Sequence, residues 1–220
     1  MDQDAYIEMY FRELSSKLEP LGFDRKEFVN AMWNGVKAMV ENDGIRTNEA
    51  VFWETFSGIC GKEILQHTSV FEDFYYNEIE KAKIHTGFQP KSAPLVRKLR
   101  ERGHCVVLAT SPVYPSIAVE ARMRWAGLCK ADFDLITSYE NCHFTKPNPA
   151  FYTEIAEKLC VSPADCVMVG NDTQDDLPAA RAGMSVFIVT DYLINKDNID
   201  FSAYSHGDFE VLCEFLENIE

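Results

Sequence analysis

Positive charge is what this chain has least of. It carries 21 lysines and arginines against 35 acidic residues, a formal net charge of −14, and its pI is about 4.8. An acidic surface repels phosphate backbones, which excludes nucleic acid as a partner. It repels small phosphorylated molecules too, so any phosphate site has to be cationic locally. No apolar run approaches the ~20 residues of a membrane-spanning helix. The N-terminal stretch is acidic and lacks the basic-then-apolar pattern of a secretory leader. The seven cysteines (Cys60, Cys105, Cys129, Cys142, Cys160, Cys166 and Cys213) form no C-x-x-C. Their number is odd, and Cys105 and Cys166 sit in or beside apolar runs. That predicts buried thiols in a reducing compartment rather than disulfides or zinc ligands. No G-x-G-x-x-G follows an apolar run, which argues against a dinucleotide enzyme. These absences predict a cytoplasmic protein that meets neither membrane nor nucleic acid. Oligomeric state leaves no mark in the sequence.

What is present is a globular composition, 46% hydrophobic over 220 residues. That is enough for one domain, or for a core with a smaller cap. Residues 1–85 read as helices alone. Tyr6, Ile7, Tyr10, Phe11, Leu14 and Leu18 recur at helical spacing, and Gly22 ends that segment. Asp24 and Glu27 form a capping box for a helix whose face is Phe28, Met32, Val36 and Met39. Thr47 or Asn48 caps a third helix, stopped by Gly61, and Ile64 to Ile79 reads as a fourth. The segment predicts a small helical bundle with an aromatic core, part of which could face a ligand groove.

From residue 86 the pattern changes. Helical stretches from Ser92, from Tyr114 to Gly127, from Pro149 to about Cys160, from Leu177 to Gly183 and from Phe209 to Ile219 alternate with short apolar runs. Those runs are CVVLAT at 105–110, FDLITS at 133–138, CVMVG at 166–170 and SVFIVT at 185–190. The alternation predicts a parallel sheet covered on both faces, an α/β core over 86–220.

Ligands of such sheets bind outside the carboxyl ends of the strands. Thr110 and Ser111 follow the first run; they could hold a phosphate oxygen or cap a helix. In HFTKPNPAFY, Lys146 precedes a proline, which favours an extended backbone, and Asn148-Pro149 starts a helix. Lys146 is then either a cation fixed at the strand ends or a surface lysine. In VGNDTQDDLPAARAGM, Asp172, Asp175 and Asp176 crowd a strand end before a helix. They could complement the helix N-terminus. They could equally gather around Mg2+, which takes one or two carboxylates with waters and substrate phosphate.

In order, LATS, KPNPAFY and VGNDTQDDLPAARAGM resemble motifs II, III and IV of the haloacid dehalogenase (HAD) superfamily. The resemblance covers nearly the whole chain, with 1–85 as that family's helical cap and 86–220 as its Rossmannoid α/β core. It implies a hydrolase in which Thr110 and Ser111 bind phosphate, Lys146 neutralises it, Asp172 ligands Mg2+ and Asp176 supports that ligand or its waters. Two acids in the fourth motif resemble a metal-dependent phosphatase, acting on a small phosphorylated metabolite, more than a metal-free dehalogenase. Asn171 departs from the family, which often reads G-D where this chain has G-N-D.

The family's first motif is a strand ending in D-x-D-x-T/V, whose first aspartate attacks phosphorus. The opening MDQD has a D-x-D, Asp2-Gln3-Asp4, but only Met1 precedes it and Tyr6 stands where Thr or Val is expected. Asp4 reads instead as a helix cap. The expectation is therefore a chain that lacks the motif I strand and its nucleophile, is truncated upstream, and is inactive as written. Two alternatives stand beside it. One is a non-catalytic phosphate-, metal- or partner-binding protein. The other is a phosphomutase, or a phosphonate hydrolase using Lys37, Lys62, Lys81 or Lys83 as a Schiff-base lysine.

Overall fold

The computed structural model of the protein describes residues 3–219. Asp2 of the opening D-x-D lies outside them. Helix α1 (Gln3–Leu18) already includes Asp4, which is therefore in the first turn and not the cap. The chain divides into two compact units, residues 1–143 and 144–220. That division lies inside the α/β stretch, well past the change of pattern near residue 85.

The first unit continues with α2 (Arg25–Val40), α3 (Asn48–Cys60), α4 (Thr68–Asn77), α5 (Ser92–Glu101), β1 (Val107–Leu108), α6 (Ser116–Trp125) and β2 (Leu135–Ile136). The cap and stop residues act where expected, although the Asp24–Glu27 box is only half made, without a bond from the Glu27 side chain to the Asp24 N–H among the described residues. Asp24 accepts the Glu27 backbone N–H at 2.9 Å, and Thr47 accepts that of Ala50 at 3.3 Å. Gly22 closes the first segment at a φ of 91°, a left-handed conformation that glycine adopts without a Cβ penalty. The expected helix from Ile64 to Ile79 is a correction. It is broken into a 3-10 turn (Lys62–His67), α4, and a second 3-10 turn (Ile79–His85). Phe71, Phe74, Tyr75, Ile79 and Ala82 are all buried and keep the spacing of one helical face. The break is in the backbone: Glu78 N–H still bonds the Phe74 carbonyl four residues back, whereas Lys81 N–H bonds the Glu78 carbonyl three back, the tighter 3-10 step.

Aromatic rings fill this core. Phe56 is fully buried, stacked on Phe52 at 5.3 Å and edge-on to Phe28 and Phe71 at 5.8 Å. Each such pair adds roughly 0.5–1.5 kcal/mol beyond the area it buries. Gly35 lets α2 approach α3, because a Cβ there would meet the Phe52 ring at 2.6 Å. Ala118, Ala121 and Trp125 of α6 join the same cluster.

Strands β1 and β2 pair in parallel, Val107 with Leu135 and Leu108 with Ile136. Each is two residues long where six-residue runs were expected. All four residues are only half-buried. Strand β1 has no strand partner on its other edge among the described residues. With one neighbour, a strand has half its ladder and less reason to stay regular.

The second unit holds α7 (Pro149–Leu159), β3 (Val167–Gly170), α8 (Thr173–Asp176), β4 (Ser185–Val189), β5 (Ser205–Gly207) and α9 (Phe209–Glu217). Its sheet is parallel in the order β3-β4-β5. Central β4 buries Val186, Phe187 and Ile188, and Phe187 packs on Phe215 of α9 at 5.0 Å. Asn148 caps α7 by accepting the Ala150 N–H at 3.0 Å, with Pro149 in the first turn. The helix expected from Leu177 to Gly183 is a 3-10 turn over Leu177–Ala182, with Pro178 near its start.

No disulfide joins the seven cysteines among the described residues. The expectation that they are buried is corrected: Cys142 is, while Cys105, Cys129 and Cys160 are exposed. Cys105 falls outside the shortened β1, and Cys160 ends α7 in a left-handed turn. Among the described residues, no helix is long and apolar enough to cross a membrane.

Candidate functional site

In the second unit the site is built around the end of β3. Strand β3 stops at Gly170, and the chain turns through Asn171 and Asp172 into α8. Asp172 is the N-cap: its Oδ1 accepts the backbone N–H groups of Gln174 at 2.9 Å and Asp175 at 3.2 Å. The carboxylate of Asp176 folds back over Gly170. Its Oδ2 accepts the Asp172 N–H at 2.9 Å, and its Oδ1 accepts Lys146 Nζ at 2.7 Å. A Cβ on Gly170 would lie 1.9 Å from that carboxylate, so only glycine leaves room for it.

Lys146 comes from the loop before α7, and its peptide bond to Pro147 is cis. Both partners of the ion pair are nearly out of reach of water, with side chains 8% and 5% exposed. A buried pair keeps its charges only when each is held by the other and by further hydrogen bonds. Here the Asp172 N–H supplies one. The Lys146 ammonium also lies 6.0 Å from the centre of the Tyr152 ring. Tyr152 donates its hydroxyl to the Asp175 carbonyl, bracing α8 against α7. The loop on the far side is tied to the chain after β4: Asn171 Nδ2 donates to Tyr192 O at 2.7 Å, and Thr173 N to Ile194 O at 3.0 Å.

Three carboxylates then face one ammonium. Burial first, and the nearby Asp172 second, push the Asp175 carboxyl above its usual range, with Asp176 adding and Lys146 opposing. The Asp175 carboxylate accepts no hydrogen bond among the described residues, and Asp172 uses one oxygen for capping. The Thr145 hydroxyl, one residue from Lys146, is buried without a hydrogen-bond partner there. This donor chemistry of hard oxygens and surplus negative charge fits a small divalent cation. No group of three or more His, Cys, Asp or Glu placed to hold a metal exists among the described residues.

In the first unit Thr110 and Ser111 follow β1. The Thr110 carbonyl accepts Thr137 Oγ1 at 2.6 Å. The Ser111 carbonyl accepts the Val113 N–H at 2.9 Å. Next to it, the Pro112 carbonyl accepts Asn48 Nδ2 at 3.3 Å. Asn48 is fully buried and its Oδ1 accepts Asn42 Nδ2 at 2.9 Å. The loop is thus pinned through its backbone, while the Thr110 and Ser111 hydroxyls make no protein hydrogen bond among the described residues. Neither Thr137 nor Asn48 carries a sequence signal of this role. Thr137 sits near the end of the β2 run, beside Ser138, within reach of the loop after β1. Asn48 reads from the sequence as a possible cap, a role Thr47 takes.

Lys37, Lys62, Lys81 and Lys83 are all exposed. Schiff-base lysines are activated by desolvation or a neighbouring cation, so burial activates none of these four.

Similar proteins share the architecture. A HAD phosphatase from Thermococcus onnurineus superposes with a TM-score of 0.56 at 16% identity, over 99% of this chain and 92% of its own. CbbY from Rhodobacter sphaeroides, solved in complex with phosphate, gives 0.53 at 16% identity over 91% and 86%. At such identities these matches speak for the fold alone. In Bacillus subtilis, the protein named "Putative phosphatase YhcW" is 29% identical over 129 residues, 59% of this chain and 54% of its own length. The chain thus spans about half of that curated relative. The model of the haloacid dehalogenase-like hydrolase family matches residues 4–183, taking in the helical segment, the β1 loop, Lys146 and the acidic turn after β3. With that much of its length matched, the chain belongs to the haloacid dehalogenase-like hydrolases.

Proposed function

We propose that the protein is a Mg2+-dependent phosphomonoester hydrolase for a small phosphorylated metabolite, with 1–85 as its cap and 86–220 as its catalytic core. The observation that carries this reading is the buried Lys146–Asp176 pair beside Asp172, which caps α8, and the half-buried Asp175. The pair fixes a positive charge at a strand end in an otherwise acidic protein, where transferring phosphoryl oxygens need one. Asp172 and Asp175 would hold the cation. Asp176 has both oxygens engaged and acts by holding Lys146 and the Asp172 backbone. When bound, Mg2+ supplies neutralisation of phosphate charge. Thr110 and Ser111 offer their unused hydroxyls to phosphate oxygens.

The protein is expected to bind Mg2+ and inorganic phosphate. Calorimetric titration of the wild type, Asp172→Asn and Lys146→Ala would test this. Expected are Mg2+ binding lost in Asp172→Asn and phosphate binding lost in Lys146→Ala. A wild type that binds neither ion overturns the reading. Hydrolysis of a phosphomonoester by the wild type that Asp172→Asn abolishes would exclude a phosphate-binding protein without catalysis.

A further inference from the structure

The first unit contains a cavity of about 220 Å³ that no step above uses. Its walls are mostly aromatic, including Tyr10, Trp33, Phe52, Trp53, Tyr75 and Tyr139. No charged side chain lines it. Several of its polar atoms are paired with one another. The Tyr10 and Tyr75 hydroxyls share a hydrogen bond at 2.5 Å, and the Tyr139 hydroxyl bonds with Trp53. Burial pushes the titration of all three tyrosines up, so they stay neutral. A space of this kind holds no good place for water, which needs two to four polar partners. An apolar cavity of ~150 Å³ is large enough to take up benzene. This one has room for a ring with a substituent, or for two fused rings.

Its floor places it chemically. Val113, Tyr114 and Pro115 line the cavity and belong to the loop that carries Thr110 and Ser111. Three residues span at most roughly 11 Å when extended, and the Ser111–Val113 hydrogen bond makes this path shorter. Asn48 ties the same loop to the start of α3. At the rim, Trp33 is 49% exposed and meets Phe11 at 5.5 Å. An exposed tryptophan at the mouth of a dry aromatic space is what a binding site shows and a sealed core does not.

We infer that this cavity binds a neutral, flat apolar group of one or two rings, as the ester portion of the phosphomonoester substrate. The inference rests on the proposed phosphatase reading for the phosphate, and on the cavity alone for the ring. An enzyme built this way binds its substrate mostly by the leaving group. The acidic surface then costs little affinity, because the apolar part pulls the phosphate in.

The test separates the two readings by using a probe with no phosphate. The full protein is titrated with 2-naphthol and followed by tryptophan fluorescence, since Trp33 and Trp53 line the cavity. Saturable quenching is expected. Val36→Trp and, separately, Ile7→Phe fill the space and should weaken it about tenfold or more, with circular dichroism confirming that each variant is folded. Inorganic phosphate binding should stay unchanged in both. Absence of naphthol binding to the wild type, or binding that neither filling variant weakens, overturns the inference whatever the phosphate result. Tetramethylammonium binding in place of naphthol also overturns it, as the cavity would then be a cation cage. Naphthol binding without phosphate binding leaves the ring site standing and brings down the phosphatase reading instead.

Discussion

The helical stretch 3–85 and the strands that follow it solve the same problem differently. A helix satisfies its backbone within itself, so a few helices can bury a core with no further help. Phe28, Phe56, Phe74, Ile64 and Ile79 are all essentially buried there. A parallel strand satisfies nothing alone and needs a neighbour on each edge. Strand β4 has both, and buries three successive side chains. Strand β1 has one, is two residues long, and leaves Val107 and Leu108 half-exposed. The same kind of apolar run therefore gives a core strand or a marginal one according to what flanks it.

The comparison can be broken by experiment. Phe56→Ala should cost the most, about 3–5 kcal/mol, because it empties the centre of the ring cluster; urea unfolding would measure it. Lys146→Ala comes next, at about 3 kcal/mol, because it leaves the Asp176 carboxylate buried without its cation. Leu108→Ala should cost under about 1.5 kcal/mol, as a half-exposed side chain has less to lose. A Leu108→Ala cost equal to that of Phe56→Ala would sink the contrast between the two regions. The smallest effect is one of pH. A carboxyl raised in the folded state makes that state bind its proton more tightly than the unfolded chain does. The stability contributed by Asp175 is then complete below the unfolded value of about 4, and is lost as pH rises through the folded one. Asp175→Asn should raise the melting temperature at pH 7 and flatten its dependence on pH in that window. An unchanged pH profile would show that Asp175 is not crowded.

Much of this was legible in the residues, and for local reasons. Asp24, Thr47 and Asn148 cap where their side chains reach a free N–H within three positions, and Gly22 stops a helix by its own backbone. Lys146, Asp172, Asp175 and Asp176 were legible because they sit at the ends of apolar runs. What stayed hidden depends on distant partners. Strand β5 reads Ser-His-Gly, without an apolar signal, and exists because β4 offers it an edge. The lengths of β1 and β2 depend on neighbours. Thr137 and Asn48 matter through bonds to loops 27 and 64 positions away. The aromatic residues of 1–85 announce a core, yet nothing in their spacing tells which of them border a cavity.

Gly170 shows how a residue with no charge can set a charge map. The carboxylate of Asp176 occupies the volume where any other residue would carry its first side-chain atom. The missing methyl is thus what fixes the position of a negative charge, and through it the direction in which Lys146 points. Residue 170 governs the field at the end of β3 by shape alone, and a change there would be read first as an electrostatic fault.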